Sequence, residues 1–260
     1  MSLTSGDFIL LVLAFFVVAT LYAAVGFGGG SSYLAILTLV LTSFFAIRST
    51  ALLCNLTVVS GSCLLYYQKG HLQFKKFLPF ILTSIPMAFI GAVFKLKEYI
   101  FFIILAVALI ISALTLIYQT VVLKTNLNVK KYPVFAPYII GAGIGLLSGL
   151  VGIGGGIFLA PVLNHMKWDK PIVIASLASF FILVNSISGI GGLFFSNSFE
   201  IFWPEILALL FAVLLGGQLG VRLSISKLSA KRVRILTAIL VLFVGVRVLL
   251  KNGLEINLFA

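Results

Sequence analysis

The sequence predicts an all-α, polytopic membrane protein made of two inverted-topology repeats, each a glycine-broken helical hairpin followed by three transmembrane helices. Of its 260 residues, 62% are hydrophobic and 9% are charged, whereas soluble domains carry about 25% charged residues. The apolar runs are long and continuous, unlike the alternating strands of a membrane β-barrel. A glycine-rich insert also occurs once in each half of the chain. These observations exclude soluble globular, disordered and disulfide-scaffold proteins.

Apolar runs close to the length of a membrane-spanning helix, about 20 residues, follow one another along the chain. In the first half they cover residues 8–25, 31–46, 50–67, 77–94 and 99–122. In the second half they cover residues 137–151, 157–163, 172–195, 202–221 and 233–250. The runs 137–151 and 157–163 are too short to cross separately and flank five glycine-rich positions, so they predict a hairpin. The first two runs, which flank the same kind of insert, predict another.

Three patterns recur in the same order in the two halves. They are Gly26-Phe27-Gly28-Gly29-Gly30 with Gly152-Ile153-Gly154-Gly155-Gly156, Ser49-x5-Asn55 with Ser179-x5-Asn185, and Phe77-Leu78-Pro79 plus Gly91 with Phe202-Trp203-Pro204 plus Gly216. The shifts are 126, 130 and 125 positions, a spread that small loop insertions produce. We therefore predict a first repeat over residues 1–123, a cytoplasmic linker over 124–136 and a second repeat over 137–260. Each repeat crosses the membrane an odd number of times, so the second is predicted to be inverted.

The distribution of basic residues predicts the orientation. If each hairpin returns to the side from which it entered, 13 of the 18 Lys and Arg residues fall on one side. The other side receives Arg48, Lys95, Lys97, Arg247 and Lys251. Because cytoplasmic loops carry the excess of Lys and Arg, the first side is predicted to be cytoplasmic and both termini to be extracytoplasmic. The net charge of +12 is thus assigned to loops that face membrane lipid, and no nucleic-acid partner is predicted.

The glycine inserts predict an anion site. Glycine-rich loops at helix N-termini expose N–H groups that bind anions, and inside a membrane those groups need a partner. Inverted repeats with broken helices place their substrate near the midplane. The candidate residues are those of both inserts and the polar residues repeated inside spans: Gly26, Gly28, Gly29, Gly30, Ser31, Ser32, Ser49, Thr50, Asn55, Gly152, Gly154, Gly155, Gly156, Ser179 and Asn185. Close packing between helices is the alternative explanation of the glycines.

The second insert continues as Gly152-x-Gly154-Gly155-Gly156-x4-Pro161-x-Leu163. This pattern resembles the signature of the TauE/SafE, or sulfite exporter (TSUP), family of membrane transporters. The first insert keeps Leu37 but has Ala35 where the family pattern has proline. Length and repeat are similar too, so the resemblance covers essentially the whole chain. It implies secondary transport of small sulfur-containing anions, such as sulfite or organosulfonates, across the cell membrane, with export as the expected direction.

Charged side chains and histidines are predicted to be absent from the middle of every span. A neutral, donor-rich site favours an anion over a cation, and no metal or cofactor is predicted. An intramembrane enzyme is disfavoured because the spans pair no nucleophile with a base. A passive anion channel and a membrane assembly subunit remain as alternatives to a transporter, and a homo-oligomer is compatible with the sequence.

Overall fold

Apolar helices make up most of the chain. The structure, a computed structural model, describes residues 5–38, 40–41, 43–121, 130, 132–201, 205–225 and 230–250. Within these residues the protein forms α-helices and no β-strand. The helices of the first half are α1 (Ser5–Ala23), α2 (Gly30–Leu37), α3 (Phe44–Gln68), α4 (Phe74–Val93) and α5 (Glu98–Val121). Those of the second half are α6 (Ala136–Val151), α7 (Gly156–Met166), α8 (Pro171–Phe195), α9 (Ile206–Ile225) and α10 (Ala230–Val248). The predicted all-helical membrane fold is confirmed.

In the described part of the chain, six helices are long and apolar enough to cross a membrane. The candidate spans are Gly6–Ala23, Phe44–Gln68, Phe74–Val93, Glu98–Tyr118, Pro171–Phe195 and Ile206–Leu223. The second arm of each hairpin is much shorter, with 8 residues in α2 and 11 in α7. At 1.5 Å per residue these arms measure only about 12 and 16 Å, against a hydrocarbon core of about 30 Å. Neither arm is therefore long enough to cross on its own.

The second predicted run, residues 31–46, is not a single helix. Helix α2 ends at Leu37 and α3 begins at Phe44, six residues before the predicted start of the third run. The Ser43 side chain accepts a hydrogen bond from the Ala46 N–H (3.3 Å) and so caps α3. As a result Arg48 lies in the second turn of α3, where it is 2% exposed. The prediction that Arg48 belongs to an extracytoplasmic loop was wrong, because continuous hydropathy does not show where one helix stops.

The contacts between helices follow the same pattern in both halves. The contact of α4 with α6 corresponds to that of α9 with α1. The contact of α4 with α8 corresponds to that of α9 with α3, and the contact of α7 with α5 corresponds to that of α2 with α10. Across the halves, α3 packs against α8 and α5 against α10. This correspondence is the one expected from an internal repeat. The opposite orientation of the two repeats stays a prediction.

Helices α3 and α8 give the register of the repeat. Both contain 25 residues, and their ends are 127 positions apart. This shift pairs Asn55 with Ile182, whereas the Ser-x5-Asn patterns pair it with Asn185. Two contacts agree with the structural pairing, because Gly28 and Gly30 lie against Asn55 while Gly154 and Gly156 lie against Ile182. The sequence pattern paired Asn55 with Asn185, three residues beyond its structural equivalent Ile182. Short polar patterns align by coincidence more easily than whole helices do. The patterns that include residues 202–204, most of the predicted linker and Lys251 lie outside the described residues.

Small residues set the spacing between the halves. Gly141, Gly145 and Gly149 follow one another at every fourth position on α6, and each lies against the backbone of α4. A Cβ placed on Gly145 would lie 2.6 Å from the Ser84 Cα. At the equivalent pair of helices, Gly220 of α9 lies against the backbone of α1 at Thr20. Such contacts let helix backbones approach closely in a membrane, and they fix the ends of α1 and α6 from which the glycine inserts begin.

Polar contacts group the loops at two ends of the bundle. At one end Lys76 forms an ion pair with Asp169 (2.6 Å), which joins the first turn of α4 to the loop before α8. The Tyr132 hydroxyl donates there to the last residue of α7 (2.5 Å). At the other end the Glu200 N–H donates to the Ser49 hydroxyl (3.2 Å), which joins the start of α3 to the segment after α8. The loops that these contacts bring together are the same ones that the distribution of Lys and Arg residues assigned to a common side of the membrane. Which end faces the cytoplasm stays a prediction.

Cysteine labelling tests this orientation. We expect Lys97→Cys to react with a membrane-impermeant maleimide on intact cells and Lys69→Cys to react only after permeabilisation, because both lysines are exposed at opposite ends. The native Cys54 and Cys63 are free but buried, so they give little background. Labelling of Lys69→Cys, but not of Lys97→Cys, on intact cells would reverse the predicted topology.

Candidate functional site

The first glycine loop (residues 26–30) connects α1 to α2. Gly29 has φ +92° and precedes the first turn of α2, in the left-handed region that only glycine adopts without strain. Gly28 and Gly30 are required for another reason, because a Cβ at either position would collide with the amide of Asn55. The Asn55 Oδ1 accepts a hydrogen bond from the Gly30 N–H (2.8 Å). Asn55 of α3 therefore holds this loop in position.

The opposite half of the protein also holds the first glycine loop. The Ser179 hydroxyl of α8 donates to the Gly26 carbonyl (3.1 Å). A Cβ placed on Gly26 would lie 2.8 Å from the Ala175 Cβ. Ser179, a predicted site residue, thus positions the loop across the boundary between the halves.

A cluster of buried hydroxyls lies beside the first glycine loop. The Tyr22 Oη is 2.7 Å from the Ser32 Oγ and 3.2 Å from the Ser31 Oγ. Sequence reasoning included both serines and missed Tyr22. Its signal was available, because a tyrosine four residues before a glycine insert in an apolar run must find a partner for its hydroxyl.

The second glycine loop (residues 152–156) connects α6 to α7 and is apolar where the first is polar. Gly155 has φ +81° and precedes the first turn of α7, with no side chain capping that helix. Gly154 and Gly156 pack on Ile182, and a Cβ on Gly154 would lie 2.6 Å from the Ile182 Cγ2. Ile157 stands where the first loop is followed by Ser31. Only the first loop is therefore followed directly by a serine, and the serines beside the second loop, Ser148 and Ser186, belong to α6 and α8.

A small cavity of about 10 Å³ lies between the two loops, which is about the room that one water molecule needs. Its lining consists of Tyr22, Phe27, Gly28, Gly29, Gly30, Ser31, Ile153, Ile157 and Ile182. The first turns of α2 and α7 both reach this cavity. The positive ends of two helix dipoles and the hydroxyls of Tyr22 and Ser31 thus meet at this cavity, and such donors favour an anion over a cation.

Unpartnered polar groups surround the glycines of both loops. Buried side-chain atoms without a hydrogen-bond partner in the described part of the chain include Tyr33 Oη, Arg48 Nε, Asn55 Nδ2, Ser148 Oγ and Ser186 Oγ. At the first loop, Tyr33 lies against Gly29 and Asn55 against Gly30. At the second loop, Arg48 lies against Gly152, Ser186 against Gly154 and Ser148 against Gly155. Burial of an unpaired polar group is costly. Their concentration at the two loops favours a polar ligand there.

Comparisons with known proteins identify the family of this chain. The family model for the sulfite exporter TauE/SafE matches residues 11–248. The chain belongs to the sulfite exporter TauE/SafE family. A similar protein, the "Probable membrane transporter protein y4hK" of Sinorhizobium fredii, is 33% identical over 243 residues, which cover 92% of this chain and 97% of that protein. No solved structure matches the chain. The resemblance predicted from the second glycine motif is confirmed, and the chain is a multi-pass membrane protein of a transporter family.

Some predicted site residues of this TauE/SafE protein lie away from the cavity. Ser49, near the start of α3, accepts a hydrogen bond from the Glu200 N–H and lies about 9 Å along the helix from Asn55. Thr50 is buried beside it. Asn185 lies one turn beyond Ile182 and does not line the cavity. Direct substrate binding by these three residues stays a prediction.

The glycines of the second TauE/SafE motif play a different part from those of the first. Gly28, Gly29 and Gly30 line the cavity themselves, whereas the second loop contributes the side chain of Ile153. Ile182 was missed by the sequence analysis because it is an ordinary aliphatic residue in an apolar helix. In the described residues no group of three or more His, Cys, Asp and Glu side chains could hold a metal ion.

Proposed function

We propose that this TauE/SafE protein is a secondary transporter that exports small sulfur-containing anions, such as sulfite or organosulfonates, through the cavity between its glycine loops. The observation that carries the proposal is the convergence of both loops on one cavity. Hydroxyls and two helix N-termini reach it, and no lining residue is acidic. Such donors favour an anion over a cation. The sulfur chemistry is supported by the family, whose model is described as that of a sulfite exporter.

Alternating access is the proposed mechanism. The paired helix contacts support two structurally equivalent halves, residues 1–123 and 137–260, joined by a cytoplasmic linker at 124–136. In inverted-repeat transporters one half rocks against the other around a fixed site. The cavity lies between residues of both halves, so such a motion would open it to each side in turn. The proposed setting is the cell membrane, with both termini extracytoplasmic.

A passive anion channel is the second candidate, and counterflow separates the two. Proteoliposomes preloaded with unlabelled sulfite are expected to accumulate labelled sulfite transiently against its gradient, with a rate that saturates. A transporter exchanges substrate through a site that faces one side at a time, whereas a channel produces only net flow. Linear, non-saturating uptake without counterflow would replace the transporter by a channel. Absence of any flux would favour an assembly subunit.

Removal of the Tyr22 hydroxyl tests the polar side of the cavity. Tyr22→Phe is expected to raise the half-saturating sulfite concentration about tenfold, because a hydrogen bond to a charged group contributes about 1.5–3 kcal/mol. Tyr118→Phe is the matched control, since that ring is on α5 and 49% exposed. Uptake in proteoliposomes measures both. An unchanged half-saturating concentration in Tyr22→Phe would remove this hydroxyl from the proposed site.

A further inference from the structure

Arg48 is a buried cation inside the helical bundle. It lies in the second turn of α3 with 2% of its surface exposed. Its guanidinium donates to the Gly149 carbonyl in the last turn of α6. The guanidinium carbon is 6.0 Å from the centre of the Phe101 ring. The negative end of the α6 dipole and the aromatic face both favour a positive charge here.

No carboxylate balances this charge in the part of the chain that the structure describes. The ion pair found there joins Lys76 to Asp169 at the other end of the bundle. The Glu200 carboxylate accepts a hydrogen bond from the Ser43 hydroxyl instead. The Arg48 Nε has no hydrogen-bond partner. An ionised side chain inside a membrane protein is costly and marks substrate pathways more often than packing, so its retention calls for a ligand of opposite charge.

Arg48 contacts the second glycine loop at Gly152, next in sequence to the cavity-lining Ile153, and does not itself line the cavity. A Cβ placed on Gly152 would be 2.7 Å from the Arg48 Cγ and 3.1 Å from its Nε. The 127-position shift between α3 and α8 pairs Arg48 with Ala175, which packs on Gly26 in the first loop. At the first loop, Ala175 fills the space next to Gly26, which corresponds to the position that Arg48 occupies next to Gly152 at the second loop. The cation at the second loop is an addition that packing alone does not require.

The two glycine loops differ in the polar groups that they present to an anion. The hydroxyls of Tyr22, Ser31 and Ser32 lie at the first loop, and the guanidinium of Arg48 lies at the second. The helix that follows each loop has no side-chain cap at its N-terminus. A guanidinium presents two parallel N–H groups to a pair of oxygens, which a point charge does not do. Sulfite and sulfonates carry three oxygens on one sulfur and suit this geometry.

We propose that Arg48 is the cationic contact of the transported anion at the second glycine loop and that it selects sulfur oxyanions over uncharged sulfur compounds. The inference rests on the proposed function. It adds a charged residue that the sequence assigned to a loop, and it divides recognition between a polar first loop and a cationic second loop.

Binding to purified protein in detergent tests this proposal, with methanesulfonate as the anion and dimethyl sulfone as its uncharged analogue. We expect wild type to bind methanesulfonate and not the sulfone, R48K to bind methanesulfonate about tenfold more weakly, and R48Q more weakly still. K97Q, which removes an exposed lysine, is the matched control and should bind as wild type. Wild-type affinity in folded R48Q would overturn the proposal.

A measurement on the unaltered protein covers the case in which R48Q does not fold. With ¹⁵N-labelled arginine, the slowly exchanging Nε–H signal that R48K removes should shift on addition of methanesulfonate and not of dimethyl sulfone. No shift would overturn the proposal. If neither sulfite nor methanesulfonate binds wild type, the proposed function itself fails. If wild type transports sulfite and both R48Q and R48K do so equally well, only the role of Arg48 fails.

Discussion

Replacement of Gly29 or Gly155 by alanine is expected to reduce sulfite transport by tenfold or more. Both residues have positive φ, +92° and +81°, and holding a non-glycine residue there costs about 1–3 kcal/mol. The added Cβ would also lie 2.8 Å from the ring of Tyr33 or of Phe181. Relief of this strain moves the first turn of α2 or α7 away from the cavity. The helix N-terminus then no longer points at the anion.

Gly143→Ala is the matched control for both variants. Gly143 lies in α6 with nothing within 4 Å of an added Cβ, and alanine is favoured over glycine in a helix by about 1 kcal/mol. Initial uptake rates in proteoliposomes, scaled to the amount of monodisperse protein, measure the effect. Wild-type rates in both Gly29→Ala and Gly155→Ala would show that the loops serve packing alone. A loss in one variant only would restrict the site to a single loop.

Truncation of Ile182 is expected to produce the largest loss of stability. The Ile182 side chain fills the space between Gly154 and Gly156, and a Cβ on Gly28 of the other loop would lie 3.4 Å from it. Ile182→Ala should therefore lower the free energy of unfolding by about 2–5 kcal/mol, and Ile182→Val by about 0.5–1.5 kcal/mol. Reversible unfolding in mixed micelles provides the measurement.

Ile187→Ala on the same helix controls for residue type and helix propensity. That side chain is 55% exposed, so its loss should change the unfolding free energy by no more than about 0.5 kcal/mol. An equal effect of Ile182→Ala and Ile187→Ala would mean that Ile182 does not hold the loops together. A destabilised Ile182→Ala that still transports sulfite normally would assign the residue to stability and not to the site.

Most of the helical framework could be predicted from hydropathy. Every observed helix overlaps at least one predicted run, and each hairpin is followed by three further helices. The failures fall where a run continues across a break, as between α2 and α3. Hydropathy records whether a segment prefers lipid to water, and residues 38–43 differ too little from their neighbours to reveal the end of a helix.

The site could be predicted only in part. The glycines of both loops were found because their pattern is unusual in an apolar chain. Tyr22, which lines the cavity, was missed because the role of its hydroxyl depends on the two serines that it contacts. Arg48, the proposed anion contact, was missed because it was assigned to a loop. Asn185 was included on a short pattern, although the structural register pairs Asn55 with Ile182.

Composition and residue order are enough to show a helical membrane protein of the TauE/SafE family with a glycine loop in each half. The contact of both loops with one cavity, the hydrogen bond between Asn55 and Gly30 (2.8 Å) and the position of the buried Arg48 against Gly152 are visible only once the helices are packed. Successive residues of a helix point about 100° apart. A difference of one residue in a helix boundary therefore changes which neighbour a side chain meets, and only the packing of distant segments determines that neighbour.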